Sequence, residues 1–314
     1  MQNIEPVAPV PPVPPVPYAF AAGDPVTIID SKARRTFAFL VPGARIDLAQ
    51  GSVLADALIG SIPGARVRTT GSHVIAAYRT TLEEYVLLMP RAATVIPPKD
   101  IAFLVQWADV HPGATVVEAG IGSGGLTLGL LRAVGLHGRV ISFELRPDHA
   151  NRARKNVEAW PDTRGVPHEI RLGDVHQELA AMRDIDRILL DVPDPEHALA
   201  GAARALKPGG FVAAYVPGIR QIDAFVQGAL DTRDFTDPEV VEVMARPWVA
   251  DRQRLRPELR IIGHTGFLAR ARRRGPAVSA DETTNLPQDP PQMAAVAETA
   301  DESAGAPEPD DDAG

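Results

Sequence analysis

The stretch "VVEAGIGSGGLTL", residues 116–128, carries an apolar pair into Glu118, then four glycines within six residues, then Leu126-Thr127-Leu128. An apolar run, a glycine turn and a second apolar run read as strand, loop and helix. Glycines at 120, 122, 124 and 125 permit a tight turn and let a ligand approach the backbone closely. Gly120, Gly122 and Gly125 also satisfy the dinucleotide spacing G-x-G-x-x-G, so the loop alone leaves several nucleoside ligands open. Around it the chain alternates apolar strands with helices: "ATVVEAG", "GRVISFE", "HEIRLGD", "IDRILLD" and "GGFVAAYVP". That alternation predicts an α/β fold with a Rossmann-like parallel sheet covered on both faces. The segments "EVVEVMARPW" and "ELRIIGHTGFLARARRR" predict an antiparallel hairpin added at the sheet edge.

The strand ends narrow the ligand. Glu118, Glu144, Asp174 and Asp191 close four successive strands, and ligands of open parallel sheets sit at the carboxyl ends of strands. Such a ring of acids repels a pyrophosphate and welcomes a sulfonium cation bearing an adenosine. Four acids in register therefore favour S-adenosylmethionine, although each alone is more often a helix cap or turn acid than a ligand. After Asp191, the stretch "VPDP" places Pro193 and Pro195 on either side of Asp194. A solvated turn and a carboxylate held for a ligand both fit that pattern.

Upstream, "PVTIID", "RTFAFLV", "ARIDLA", "ARVRTT" and "HVIAAY" predict a small β-rich N-terminal domain. "TTLEEYVLLM" predicts a helix capped by Thr81 or Thr80, and "PPKDIAFLVQWADV" a helix entered at Pro98. The domain reading is a disordered Pro-rich tail over 1–17, the β-rich domain over 18–90, the Rossmann-like domain over 91–275 and a disordered acidic tail over 276–314. The last segment holds ten acids and no Lys or Arg; without it 32 basic residues face 30 acidic ones. Between Arg246 and Arg274 stand nine arginines, with Asp251 and Glu258 as the acids. A nucleic-acid footprint and a solvated strand face explain that segment equally well. The chain has no cysteine, which excludes disulfides, thiolate zinc sites and a cysteine nucleophile, and suits the cytoplasm. No run approaches a membrane span, the N-terminus lacks the pattern of a signal peptide, and the eight histidines show no ligand spacing, so neither a membrane nor a metal is expected.

From about Gly51 to Arg274 the chain resembles the tRNA adenine-58 N1-methyltransferases of bacteria and archaea. The resemblance rests on "TLEEYVLLMPR", "PKD", the block from Val116 to Val157, "LLDVPDP", "YVPGIRQ" and "GHTGFLARARR". It implies the sheet of a class I S-adenosylmethionine-dependent methyltransferase. It also implies S-adenosylmethionine as cofactor, tRNA as substrate and a homotetramer. The cofactor would be bound by Glu118, Gly120, Gly122, Ser123, Gly124, Gly125, Leu126, Glu144, His149, Asp174 and Asp191. Within that set, amides near Ser123 to Leu126 would hold the methionine part and Glu144 the ribose hydroxyls. His149 would lie beside the cofactor and Asp174 would meet the adenine amino group. Asp191 and Tyr215 would be catalytic, facing the transferable methyl and the target base.

The sequence also departs from that family. Pro97 stands where a tyrosine precedes "PKD", Glu196 where an aromatic follows "D-x-P-x-P", Thr80-Thr81 in "RPT", and Ala55 where a histidine is expected. Pro97 and Glu196 are expected to flank one pocket, the seat of the target base. A small-molecule methyltransferase and a non-catalytic paralogue on the same fold are the alternatives, with an NAD oxidoreductase further off.

Overall fold

A computed structural model describes residues 18–276; the expectations for the two tails fall outside it apart from Pro276. The N-terminal part is built from β1 (Pro25–Asp30), β2 (Arg35–Phe39), β3 (Arg45–Leu48), β4 (Gly51–Leu54), β5 (Arg66–Arg68) and β6 (Val74–Arg79). They form an antiparallel sheet of order β2-β1-β6-β5 and a separate hairpin, β3-β4. Phe20, Val26, Ile28, Leu40, Ile46, Val53, Leu58 and Ile75 fill its core.

Helix α1 (Leu82–Leu88) starts on Thr81, whose hydroxyl accepts from the Glu84 amide while the Glu84 side chain accepts from the Thr81 amide. This reciprocal box satisfies two amides that a helix start leaves free. The helix buries Tyr85 against Trp160, ring centroids 4.8 Å apart and nearly parallel. The Tyr85 hydroxyl donates to the Asn156 carbonyl (2.8 Å). A stacked pair of this kind adds about 1 kcal/mol beyond its burial. Helix α2 (Pro98–Trp107) begins at Pro98, where a missing N–H costs nothing.

The remaining elements are β7 (Thr115–Ala119), α3 (Gly125–Val134), β8 (Arg139–Glu144), α4 (Pro147–Ala159), β9 (His168–Leu172), α5 (Val175–Glu178), β10 (Ile185–Leu190), α6 (Leu199–Ala205), β11 (Leu206–Val216) and α7 (Ile219–Thr232). They are followed by β12 (Glu239–Glu242), β13 (Trp248–Ala250), β14 (Leu255–Pro257) and β15 (Phe267–Arg272). Seven of the strands form one sheet in the order β12-β15-β11-β10-β7-β8-β9. The pairs from β11 to β9 are parallel. β15 and β12 add antiparallel at the other edge, as the sequence predicts. Only Phe267–Arg272 of the long closing segment joins this sheet, and largely between the two segments expected at the edge β13 and β14 form a separate small hairpin.

Alternation along each strand builds two cores. Val117, Ala119, Ile188 and Leu190 pack on the α5–α7 side, whereas Val116 and Leu189 pack with Leu104, Leu128 and Leu131 on the other. Each fully buried Leu or Ile contributes roughly 2 kcal/mol. The chain runs outward in both directions from β7 and β10, so the switch point lies between them. The loops after these two strands, carrying Gly120 and Asp191, meet there.

Candidate active site

That meeting is close. The Asp191 amide donates to the Ala119 carbonyl (2.7 Å). Gly120 has φ +78°, and a Cβ there would stand 2.0 Å from the Asp191 carbonyl oxygen. Only glycine lets the two backbones cross at this distance, which accounts for the first glycine of the loop. Beside the crossing lies a cavity of about 390 Å³, within the range of small-molecule sites. Gly120, Gly122, Glu144, His149, Asp174 and Asp191 line it, with apolar walls from Phe143, Val175 and Val192.

The other expected residues fall behind the wall. Ser123 is buried, and its hydroxyl accepts from the Ala92 and Ala93 amides (3.0 and 3.2 Å). It thereby fastens the segment that brings Ala93 and Thr94 to the cavity. Gly124 caps α3 with φ +87°, its amide held by the Ile121 carbonyl (2.8 Å). Gly125 packs against Val95, and Leu126 belongs to the core. Glu118 is fully buried under the loop, accepting from Thr127 Oγ1 (2.8 Å) and bonded to Ser142 Oγ (2.6 Å). Burial, reinforced by the charges of Asp191 and Glu144, pushes its carboxyl up to about 8.

Glu144 closes β8 and turns its carboxylate back on the loops. Oε1 accepts from the Leu145 and Arg146 amides (both 3.0 Å), and Oε2 from the Gly122 amide (3.1 Å). His149 Nδ1 stands 3.9 Å from Oε2. Asp174 caps α5 by accepting from the His176 amide (3.0 Å). Asp191 is half-buried, and burial together with Glu144 raises its carboxyl to about 7.

One polar lining residue, His176, has no signal in the sequence. His176 Nε2 lies 3.3 Å from Asp194 Oδ1, joining the loops after β9 and β10, and His197 Nδ1 approaches the other Asp194 oxygen at 3.3 Å. The buried Nδ1 of His176 has no hydrogen-bond partner within the described structure. The cavity thus offers the carboxylates of Glu144, Asp174 and Asp191, the His149 and His176 imidazoles and apolar sides. These donors and acceptors fit an adenosine bearing a short amino-acid arm.

Tyr215 does not line this cavity. Its hydroxyl donates to the Thr265 carbonyl (2.6 Å), and its ring lies so close to Gly266 that a Cβ there would stand 2.5 Å from Cζ. Burial, then the charges of Asp100 and Asp191, push the phenol up to about 12. The "PKD" motif meets the same turn: fully buried Asp100 accepts from Lys99 Nζ (2.7 Å) and Thr265 Oγ1 (2.8 Å). Lys99 also donates to the Val243 carbonyl (2.6 Å). His264 is structural, bonded to the Pro217 carbonyl (2.9 Å) and Glu242 (2.6 Å), which together raise its imidazole above the usual range.

Pro97 and Glu196 do not share a pocket, contrary to expectation. Pro97 lines a second cavity of about 440 Å³ together with Arg91, Lys99, Arg260, Ile261 and Thr265. Glu196 packs against Gly228 of α7, because the prolines on both sides of Asp194 turn the loop back onto that helix.

The basic segment divides. Arg270 pairs with Glu239 and stacks on Trp107, Arg272 lies over Phe211, and Arg273 and Arg274 bond the Ala203 and Phe235 carbonyls. Arg254 pairs with Asp251. Arg246, Arg252 and Arg260 have no ion pair among the described residues. Among those residues no helix is long and apolar enough to cross a membrane, and no group of three His, Asp or Glu could hold a metal ion.

Comparison with known proteins adds an independent line. Residues 73–265 match the family described as the tRNA methyltransferase complex GCD14 subunit. The chain is 39% identical over 249 residues to a tRNA (adenine(58)-N(1))-methyltransferase TrmI of Thermus thermophilus, covering 79% of this chain and 96% of that one. It is 34% identical over 232 residues to a tRNA (adenine(57)-N(1)/adenine(58)-N(1))-methyltransferase of Methanocaldococcus jannaschii, covering 67% and 82%. Among solved structures, a SAM-dependent O-methyltransferase from Thermotoga maritima superposes with TM-score 0.77 at 26% identity, covering 83% of this chain and 97% of that one.

Proposed function

Because the chain belongs to the family of the tRNA methyltransferase complex GCD14 subunit, we propose that it methylates N1 of adenine 58 in tRNA, using S-adenosylmethionine. The observation that carries this reading is the carboxylate set of Glu144, Asp174 and Asp191 around one cavity at the switch point. S-adenosylmethionine bound there supplies an electrophilic methyl group on a sulfonium centre.

Glu144 would take the ribose hydroxyls, exchanging its Gly122 contact for one of them. Asp174 would accept from the adenine amine, and His149 would close the side of the pocket. The helix start at Gly125 favours the carboxylate of the methionine arm. Asp191 would accept from the exocyclic amine of the target adenine and stabilise the positive charge that grows on the ring as N1 is alkylated. No strong base is needed, since N1 already carries a lone pair. Catalysis then rests on alignment and electrostatics. Tyr215, fixed by Thr265 and Gly266, would hold the position of the base from the side of β11.

The second cavity, with Arg91, Lys99 and Arg260 around an apolar floor, fits the RNA side of the site. Arg246 and Arg252 would extend that basic surface. A homotetramer working on cytoplasmic tRNA accords with the family. Pro97 favours one rival, a small-molecule acceptor, because proline removes a stacking platform beside the cavity. The test is to incubate the pure protein with labelled S-adenosylmethionine and unmodified tRNA, then map the label by nuclease digestion and mass spectrometry. Label at N1 of adenine 58 supports the proposal. Absence of label from tRNA, with cofactor binding intact, favours the small-molecule reading.

A further inference from the structure

Beneath the glycine loop, three adjacent strands contribute one polar side chain each to a continuous chain. Glu118 on β7 is paired across the sheet with Ser142 on β8, and Ser142 Oγ lies 2.6 Å from Glu118 Oε2. The same hydroxyl lies 3.0 Å from Nε2 of His168 on β9, the edge strand. Glu118, Ser142 and Thr127 are fully buried. His168 lines a separate cavity of about 520 Å³ on the far side, among Arg154, Glu158, Arg164 and Glu169. A buried acid under the cofactor site is thus wired to solvent.

We propose that Glu118, Ser142 and His168 form a reversible proton relay through which the site distinguishes cationic S-adenosylmethionine from its neutral demethylated product. The inference rests on the cofactor reading above. The chain has two arrangements, and both satisfy every atom in it. In one, the Glu118 carboxyl donates to Ser142 Oγ and the Ser142 hydroxyl donates to His168 Nε2. In the other, His168 Nε2–H donates to Ser142, which donates to the Glu118 carboxylate. They differ by one proton, which leaves from His168 Nδ1 as the ring changes tautomer. Burial, then Arg154, holds the His168 imidazole down near 4, so the ring stays neutral in both arrangements.

Asp191 and Glu144 face Glu118 from the loop after β10 and the end of β8, and their charge favours its protonated form. A sulfonium among those carboxylates cancels part of that field; a thioether does not. Binding of S-adenosylmethionine should therefore expel a proton that the product leaves in place.

Titration calorimetry at pH 7.5, in buffers of different ionisation enthalpy, counts the protons. The wild type should release on the order of half a proton more with S-adenosylmethionine than with S-adenosylhomocysteine. Glu118→Gln should reduce that surplus, and so should His168→Phe, which removes the acceptor for Ser142. Equal release with the two ligands, or an undiminished surplus in Glu118→Gln, overturns the relay. If the variants do not fold, infrared difference spectra of wild type carrying ¹³C-glutamate decide. Loss of a protonated glutamic acid band on adding S-adenosylmethionine alone supports the relay; an unchanged band refutes it. Failure of both ligands to bind would instead remove the cofactor reading itself.

Discussion

Replacing Gly120 by alanine tests the crossing of the two loops on which the site depends. The added Cβ would lie 2.0 Å from the Asp191 carbonyl oxygen and 2.9 Å from its carbon. Ordinary carbon–oxygen contact requires about 3.2 Å, so one loop must retreat by more than an ångström. The left-handed backbone at φ +78° adds about 1–2 kcal/mol for any residue with a Cβ, and the forced shift a further 1–3 kcal/mol. The total is about 2–5 kcal/mol, or a melting temperature lower by roughly 5–15 °C for a domain of this size. Relief by moving Asp191 would misplace the reacting partners by about 1 Å, enough to slow transfer about 100-fold. Gly122→Ala is the control: its φ is +52°, but its nearest contact is an easy 3.7 Å to Ala93 Cβ. In thermal melts it should lose only the backbone strain. Thermal melts by circular dichroism and single-turnover methyl transfer measure both effects. If Gly120→Ala melts like Gly122→Ala and transfers like wild type, the crossing does not hold Asp191.

Other perturbations address separate parts of the structure. Glu118 titrates near 8 in the folded chain against 4.5 for a free glutamate, so its contribution to stability is complete below 4.5 and lost as pH rises through 8. That loss amounts to at most about 5 kcal/mol. Glu118→Gln should flatten chemical-denaturation midpoints between pH 5 and 8; an unchanged slope would contradict the burial argument. Replacing Arg246, Arg252 and Arg260 together by alanine should weaken tRNA binding and reduce its salt slope by about 2–3, while leaving cofactor affinity intact. A slope equal to wild type would exclude these arginines from the RNA surface. Pro97→Tyr keeps an extended residue before Pro98 and restores an aromatic beside the second cavity. Stacking worth about 1–3 kcal/mol should speed transfer to adenine 58 by about 5- to 150-fold, and slower transfer would show that proline suits the native acceptor.

The parallel sheet was legible because its strands are apolar runs bounded by glycine and charge, and the capping of α1 because Thr81 and Glu84 have the required spacing. β4 went unseen: Gly51–Leu54 opens on the turn-type pair Gly51-Ser52 and ends on two adjacent apolar residues, so it shows no alternation. The strand-end acids read as one set, yet they divide. Glu144, Asp174 and Asp191 reach the cavity, whereas Glu118 stands one residue inside β7 and points beneath the loop. Its partners held the missing signal, since Thr127 and Ser142 are hydroxyls in otherwise apolar stretches. His176 was invisible because its role depends on Asp194, eighteen residues later, across a strand and two turns. Arginine composition could not separate free cations from Arg270 or Arg273, whose partners lie on other elements. Pro97 and Glu196 were joined by analogy and are parted by the fold, because Glu196 turns toward α7.

The most direct test of the account compares Asp191→Ala with Asp194→Ala in single-turnover methylation of tRNA at saturating S-adenosylmethionine. Both residues line the same cavity, and the proposal gives the stabilisation of charge on the target adenine to Asp191 alone. Asp191→Ala should slow transfer about 100-fold or more with its fold retained by circular dichroism. Asp194→Ala loosens the contacts to His176 and His197 and should cost less than about tenfold. Equal losses in the two variants would contradict the assignment of the transfer step to Asp191.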